Sequence, residues 1–318
     1  MRARWASLVS FLNEREDPRS LALVRILACT TVALHFGRFL LSGAADFALL
    51  HQERGGMSAT HGWLAPLGGA EPWMIALLGA ACCAAATLGA LGLFTRPALL
   101  VTWAAVRALS SLNDEAKGSY DGLLIDTLFL LLLSGCGRAL SLDARLFGTQ
   151  RGLAPRWPRV LLVVQLGLLY LGSALNKGSL GWVPGGDASA LWYILQQPTW
   201  ARFASLPLWS YPLTQVATTT VWIFELAGPL FVLAWVLRET RPRGRALGAL
   251  KRGLERARFL ELYLAFGLAM HLGIEALMEV GPFSFAALAL YPAAIPAERL
   301  AQGLSRLRIG KRLPLEAS

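Results

Sequence analysis

The sequence predicts an all-α membrane protein, a polytopic bundle of about eight transmembrane helices with both termini cytoplasmic. Three observations carry this reading. Apolar residues make up 55% of the 318 positions and charged residues only 16%, at a mean hydropathy of +0.49; a soluble domain of this size needs more polar surface. Apolar runs of near-spanning length recur along the whole chain. Lys and Arg crowd into every second connection between them.

The runs occupy residues 21–41, 73–94, 97–112, 122–136, 160–175, 213–237, 259–277 and 283–297. A hydrocarbon core of ~30 Å needs ~20 helical residues. The third, fourth, fifth and eighth runs are shorter, so they must extend into their flanks or be shielded by longer neighbours. Of the 30 Lys and Arg, 23 fall in the two termini and the connections around 96, 138–159 and 238–258. Only Arg54, Lys117 and Arg202 fall in the alternate connections, and Arg25, Arg38, Arg107 and Lys177 lie in or at the ends of spans. The cation-rich set is therefore assigned to the cytoplasm. This makes 1–20 a cytoplasmic leader, 21–297 the transmembrane domain and 298–318 a basic cytoplasmic tail. The leader holds Glu14, Glu16 and Asp17 and no small-residue cleavage site, unlike a signal peptide.

The formal charge of +10 sits between apolar runs and at the termini, with no basic patch interleaved with aromatics, so nucleic acid is not an expected partner. Cys29, Cys82, Cys83 and Cys136 lie inside apolar runs without a CxxC or zinc spacing, and are expected to be small packing residues. The stretch GAACCAAATLGALG at 79–92 suits close helix packing. Segment 178–212, the longest outer connection, is expected to form a re-entrant or interfacial helix around 188–197, with Trp182, Trp192, Tyr193, Trp200 and Trp209 at the interface. No internal repeat or linker marks a second domain.

Ionisable residues within spans are costly, roughly 2.5–3.5 kcal/mol at mid-bilayer, and therefore informative. Arg25 and Glu261, near the cytoplasmic ends, are read as snorkelling to water. His35, Arg38, Arg107, Asp126, Lys177, His271 and Glu275 gather toward the outer leaflet, and that asymmetry points to a site there. Tyr170, Ser173 and Lys177 are spaced three and four apart and form one polar stripe. A lysine drawn into apolar surroundings has its pKa lowered, by up to about 3–5 units when fully buried, and can then act as a base. The alternative is a helix-end lysine reaching water. His271 and Glu275 share a helix face, and His271 is expected to be a hydrogen-bonded interior residue rather than a metal ligand. Glu225, at mid-depth, needs a partner if ionised; Arg107, Arg25, His35 and His271 are the candidates considered. No metal site is predicted.

In their order these features resemble the HTTM family, the membrane module shared with vitamin K-dependent gamma-carboxylase. The resemblance runs through LALVRI at 21–26, LGLFTR at 91–96, SLDARL at 141–146, YLGSALNKGSLGW at 170–182 and HLGIEALMEVGPFSF at 271–285. It implies that Lys177 is the base that deprotonates a hydroquinone of the vitamin K or menaquinol kind, whose oxygenation yields a strongly basic alkoxide and finally the epoxide. Oxygen and carbon dioxide would be the co-substrates. His271 matches a histidine of the carboxylase module and is paired with Lys177 as a catalytic candidate. Tyr170, Ser173, Asn113, Trp182 and Glu225 are the candidate substrate contacts. Two departures are visible. The stretch NDEAKGSYDGLL, which Asn113 opens, lacks the active-site histidine that the carboxylase carries before its fourth span, and Lys117 stands nearest its place. The chain also ends soon after its last span, so propeptide-directed glutamate carboxylation is not expected of it alone.

The functional expectation is a carboxylase-like enzyme of the inner cell membrane, with a site opening outward and an apolar quinone-like ligand. A partner membrane or secreted protein is also expected. The alternatives are a non-catalytic bundle that binds lipid or a membrane partner, and a small-molecule transporter. Transport predicts inverted repeats and helices broken at mid-membrane, neither of which stands out in the sequence.

Overall fold

A computed structural model describes residues 2–148, 152–203, 205–240 and 244–306. The tail from 307 onward lies outside the described residues, as do Arg151, Arg241 and Arg243. The chain divides into two compact units: Met1–Leu162 with Phe285–Ser318, and Val163–Ser284.

The first unit begins with α1 (Arg2–Asn13), α2 (Arg19–Leu41) and the short α3 (Ala44–Leu49). It continues with α4 (Pro72–Leu91), α5 (Thr95–Ser110), α6 (Ser119–Ser134) and α7 (Leu142–Leu146). The start of α8 (Trp157–Asn176) belongs to it, together with α14 (Phe283–Leu288) beyond Ser284, α15 (Tyr291–Ala294) and α16 (Ala297–Arg306). Small residues let α2 and α4 approach closely. A Cβ on Gly79 would lie 2.6 Å from Leu40 Cδ1, and one on Gly89 would lie 3.0 Å from Cys29 Sγ. Cys29, which meets Gly89 there, and Cys82 and Cys136 are buried free thiols. The leader is tied down rather than trailing: β1 (Arg15–Glu16) pairs antiparallel with β2 (Ala154–Pro155). Beside it Arg159 grips Glu16 through Nε at 2.7 Å and Nη2 at 2.9 Å.

Three of the motifs that carry the family resemblance meet at one junction of this unit. Asp143 of SLDARL accepts the Phe94 N–H at 2.8 Å, the Thr95 N–H at 2.8 Å and the Thr95 hydroxyl at 2.7 Å, so it caps α5. Gly92 of LGLFTR, at φ +68°, comes so close that a Cβ there would fall 2.4 Å from Ser141 Cβ. Arg25 of LALVRI is fully buried and donates to the carbonyls of Cys136 at 3.2 Å and Leu140 at 2.6 Å. The expectation that Arg25 snorkels is thereby corrected. Its guanidinium satisfies carbonyls left open at a helix end, which water would otherwise have to reach.

Burial alone would raise the Asp143 carboxyl, but the Thr95 and Phe94 donors and the Arg25 charge outweigh it and hold the group below the usual aspartate range. A depressed native value means that this stabilisation is full above the unfolded-state value of ~3.9 and fades as pH falls through the native one. Asp143→Asn is expected to cost ~1–3 kcal/mol at neutral pH, read as a lower midpoint in thermal unfolding. The gap between variant and parent should close on acidification.

The second unit holds the rest of α8, the short α9 (Ala190–Ile194), α10 (Tyr211–Leu226), α11 (Gly228–Glu239), α12 (Arg245–Arg256) and α13 (Phe259–Leu277). All eight apolar runs are largely helical, but among the described residues only α2, α4, α8 and α13 are long and apolar enough to cross a membrane, or five spans if the bent pair of α10 and α11 counts as one. α5 and α6 have 16 residues each, about 24 Å of helix. The sixth run bends by 48° where α10 meets α11. Pro229 explains the break: it has no N–H to offer the Glu225 carbonyl four residues back, and its ring crowds that turn. The helix expected around 188–197 amounts to the five residues of α9, too short for a re-entrant element.

Candidate functional site

The second unit holds an open-sided cavity of about 710 Å³, within the ~300–1,000 Å³ usual for small-molecule sites. Its walls are almost wholly apolar, with Leu169, Val216, Val221, Phe266, Ile274 and Phe283 among them. Two polar groupings interrupt that surface.

The first is built by α8 and α10. Ser173 lies on α8, Lys177 follows its last residue Asn176, and Glu225 is the second-last residue before the bend. Lys177 Nζ donates to Glu225 Oε1 at 2.5 Å, to Oε2 at 2.6 Å and to Ser173 Oγ at 2.9 Å. Ser173 in turn donates to Glu225 Oε1 at 2.9 Å, closing a triangle. The Glu225 side chain is 7% exposed and that of Lys177 23%. The Trp182 ring lies 4.9 Å from Lys177 Nζ, a cation–π contact that covers the ammonium.

The second joins α8 to α13. Tyr170 and His271, both buried, share a 3.0 Å hydrogen bond between the phenol oxygen and Nε2, its direction set by the histidine tautomer. Below it, Phe224 before the bend and Phe231 after it both stack on Tyr263, with ring centroids 4.3 and 4.8 Å apart. The Tyr263 hydroxyl donates to the Phe224 carbonyl at 3.2 Å. The bend is therefore held by packing as well as by Pro229. Gly228 brings α11 against α8 backbone to backbone, since a Cβ there would fall 2.4 Å from the Gly167 carbonyl oxygen. That close approach positions Glu225 opposite Lys177.

Lys177, Ser173, Tyr170, Trp182, Glu225 and His271 thus all line one cavity. Asn113 does not. It belongs to the first unit, donates to the Ala48 carbonyl at 2.7 Å, and borders a small cleft with His35, Tyr120 and Lys117. Glu225 pairs with none of the four partners considered from sequence; its partner is Lys177. Nor does Lys177 stand alone among apolar side chains, because the Glu225 carboxyl group faces it. Glu275 turns to Arg202 at 2.7 Å rather than to His271. Among the described residues no three His, Cys, Asp or Glu gather so as to hold a metal.

A family model described as HTTM domain matches residues 13–250. The chain belongs to the HTTM family. The match takes in Tyr170, Lys177 and Glu225 but stops short of His271. No curated protein and no solved structure matches the chain. With its apolar helices, family membership makes this a membrane protein whose module is related to that of the vitamin K-dependent gamma-carboxylase.

Proposed function

We propose that this HTTM protein binds an apolar hydroquinone, of the menaquinol or vitamin K hydroquinone kind, and that Lys177 with Glu225 takes the hydroxyl proton that readies the ring for reaction with oxygen. The observation that carries the reading is a Lys–Glu pair facing an apolar cavity large enough for a quinone-type ring system. In this reading the acceptor is the Lys177 nitrogen: the pair reacts in the form where Glu225 holds the shared proton as carboxylic acid and Lys177 is the amine, a form that guanidinium cannot take. Accepting one further proton leaves an ammonium beside a neutral Glu225, and the ammonium then offsets the charge of the deprotonated substrate oxygen. Ser173 holds the amine in line, and Tyr170 with His271 supplies a second hydrogen-bonding pair on the same wall.

The cation distribution supports placing the protein in the inner membrane, both termini inside and the cavity toward the outer face. Reporter fusions after Gly55 and after Arg258 are expected to report opposite sides; the same side for both would overturn the orientation.

One observation favours a second reading. A span broken beside a buried carboxylate is a feature of transporters. Organic extraction of protein purified after incubation with menaquinone separates the two, since the enzyme reading expects a bound quinone released on extraction. Repeated failure to find one, with saturable uptake of a polar solute into vesicles, would favour transport. Failure of both would leave a lipid- or partner-binding bundle.

A further inference from the structure

α12 is a helix with no buried side chain. Its sequence is RALGALKRGLER. At about 100° per residue, Arg245, Arg252 and Arg256 fall within roughly 40° of one another, while Leu247, Leu250 and Leu254 gather on the opposite side. Leu247 is 44% exposed and Leu250 39%. None of the three arginines makes an ion pair among the described residues. A 12-residue helix is marginal alone in water, so one whose leucine face is only partly covered, Leu254 being half-buried, needs a second phase to lie against.

Its surroundings identify that phase. α12 starts soon after α11 ends at Glu239, and two residues separate its end at Arg256 from the start of α13 at Phe259. Both neighbours are apolar helices of the candidate spans, which puts α12 at the level where apolar helix gives way to polar chain. Lys251 fixes it there by donating to the carbonyls of Arg238 at 3.2 Å and Thr240 at 3.0 Å. These are the open carbonyls at the end of α11, where a cation is favoured. Arg258, held at φ +51°, makes the sharp turn into α13.

We infer that α12 lies flat in the membrane boundary, with Leu247, Leu250 and Leu254 in the acyl region and Arg245, Arg252 and Arg256 gripping the phosphates of anionic phospholipids. A basic amphipathic helix beside a span binds anionic lipid by this combination of apolar burial and charge. Arginine, with its forked donors, suits phosphate better than lysine does.

The test uses the full chain in nanodiscs of phosphatidylcholine alone or with about one lipid in five replaced by phosphatidylglycerol. Hydrogen exchange of the amides at 245–256 is the readout. Exchange should slow roughly fivefold in the anionic discs, and the protection should vanish at high salt and in the variant R245Q/R252Q/R256Q. Equal exchange of the parent chain in the two discs would overturn the proposal, whether or not the variant folds. Protection that persists in the triple variant would overturn it too. So would protection in detergent that grows with protein concentration, since a second copy would then be covering the leucine face.

Discussion

Lys177→Arg is expected to abolish hydroquinone turnover while leaving the protein folded. Guanidinium stays protonated with a pKa above ~12, so it can keep company with Glu225 but cannot accept a proton. General-base contributions are typically about 10²–10⁴-fold in rate, and the loss should fall in that range. Stability should hold, because Arg retains the charge and the long apolar stem that Lys177 uses to reach Glu225. The readout is oxygen-dependent loss of added menaquinol by reconstituted protein, beside a thermal unfolding curve. If Lys177 serves only as the structural partner of Glu225, the Arg variant turns over like the parent.

The second large effect concerns the carboxylate. Glu225→Ala leaves the Lys177 ammonium facing an apolar cavity without its partner, and breaking a buried pair in this way costs ~3–5 kcal/mol. Lys177 is 23% exposed and can shift toward water, which places the expected loss near the lower end. Replacing both, as Lys177→Met with Glu225→Leu, should recover most of that loss, because two apolar residues fit the walls that surround them. A double-mutant cycle in detergent unfolding would show this as strong non-additivity. Additive costs would mean that the two side chains do not share one energetic unit, and the closed triangle with Ser173 would lose its meaning.

How much of this was legible in sequence depends on how local each feature is. The eight apolar runs could be read because hydropathy is a property of contiguous residues, and all eight are largely helical. The stripe Tyr170–Ser173–Lys177 needed only helical spacing. The bend at Ala227 did carry a signal, the Gly228–Pro229 pair, but it is masked inside a run whose hydropathy never drops. The pairing of Glu225 with Lys177 carried none. It depends on the relative rotation of α8 and α10, which a close approach at Gly167 and Gly228 sets. Asp143 is similar, since its acceptors cap a helix 48 residues earlier in the chain. Asn113 carries no sequence signal of its own role, which is to donate its amide to the Ala48 carbonyl in the first unit. α12 was countable only as eight cations in a connection until its helix set arginines and leucines on opposite faces.

The central claim, that the Lys177–Glu225 pair takes a proton from a bound apolar hydroquinone, meets its most direct test without oxygen. Reduced menaquinone is bound anaerobically at neutral pH to the reconstituted parent and to Lys177→Arg, with equal occupancy checked by extraction, and the absorption of the bound ring is recorded. The parent should show the longer-wavelength band of the deprotonated ring and the Arg variant only the neutral form. Identical neutral spectra in both, at equal occupancy, would contradict the claim.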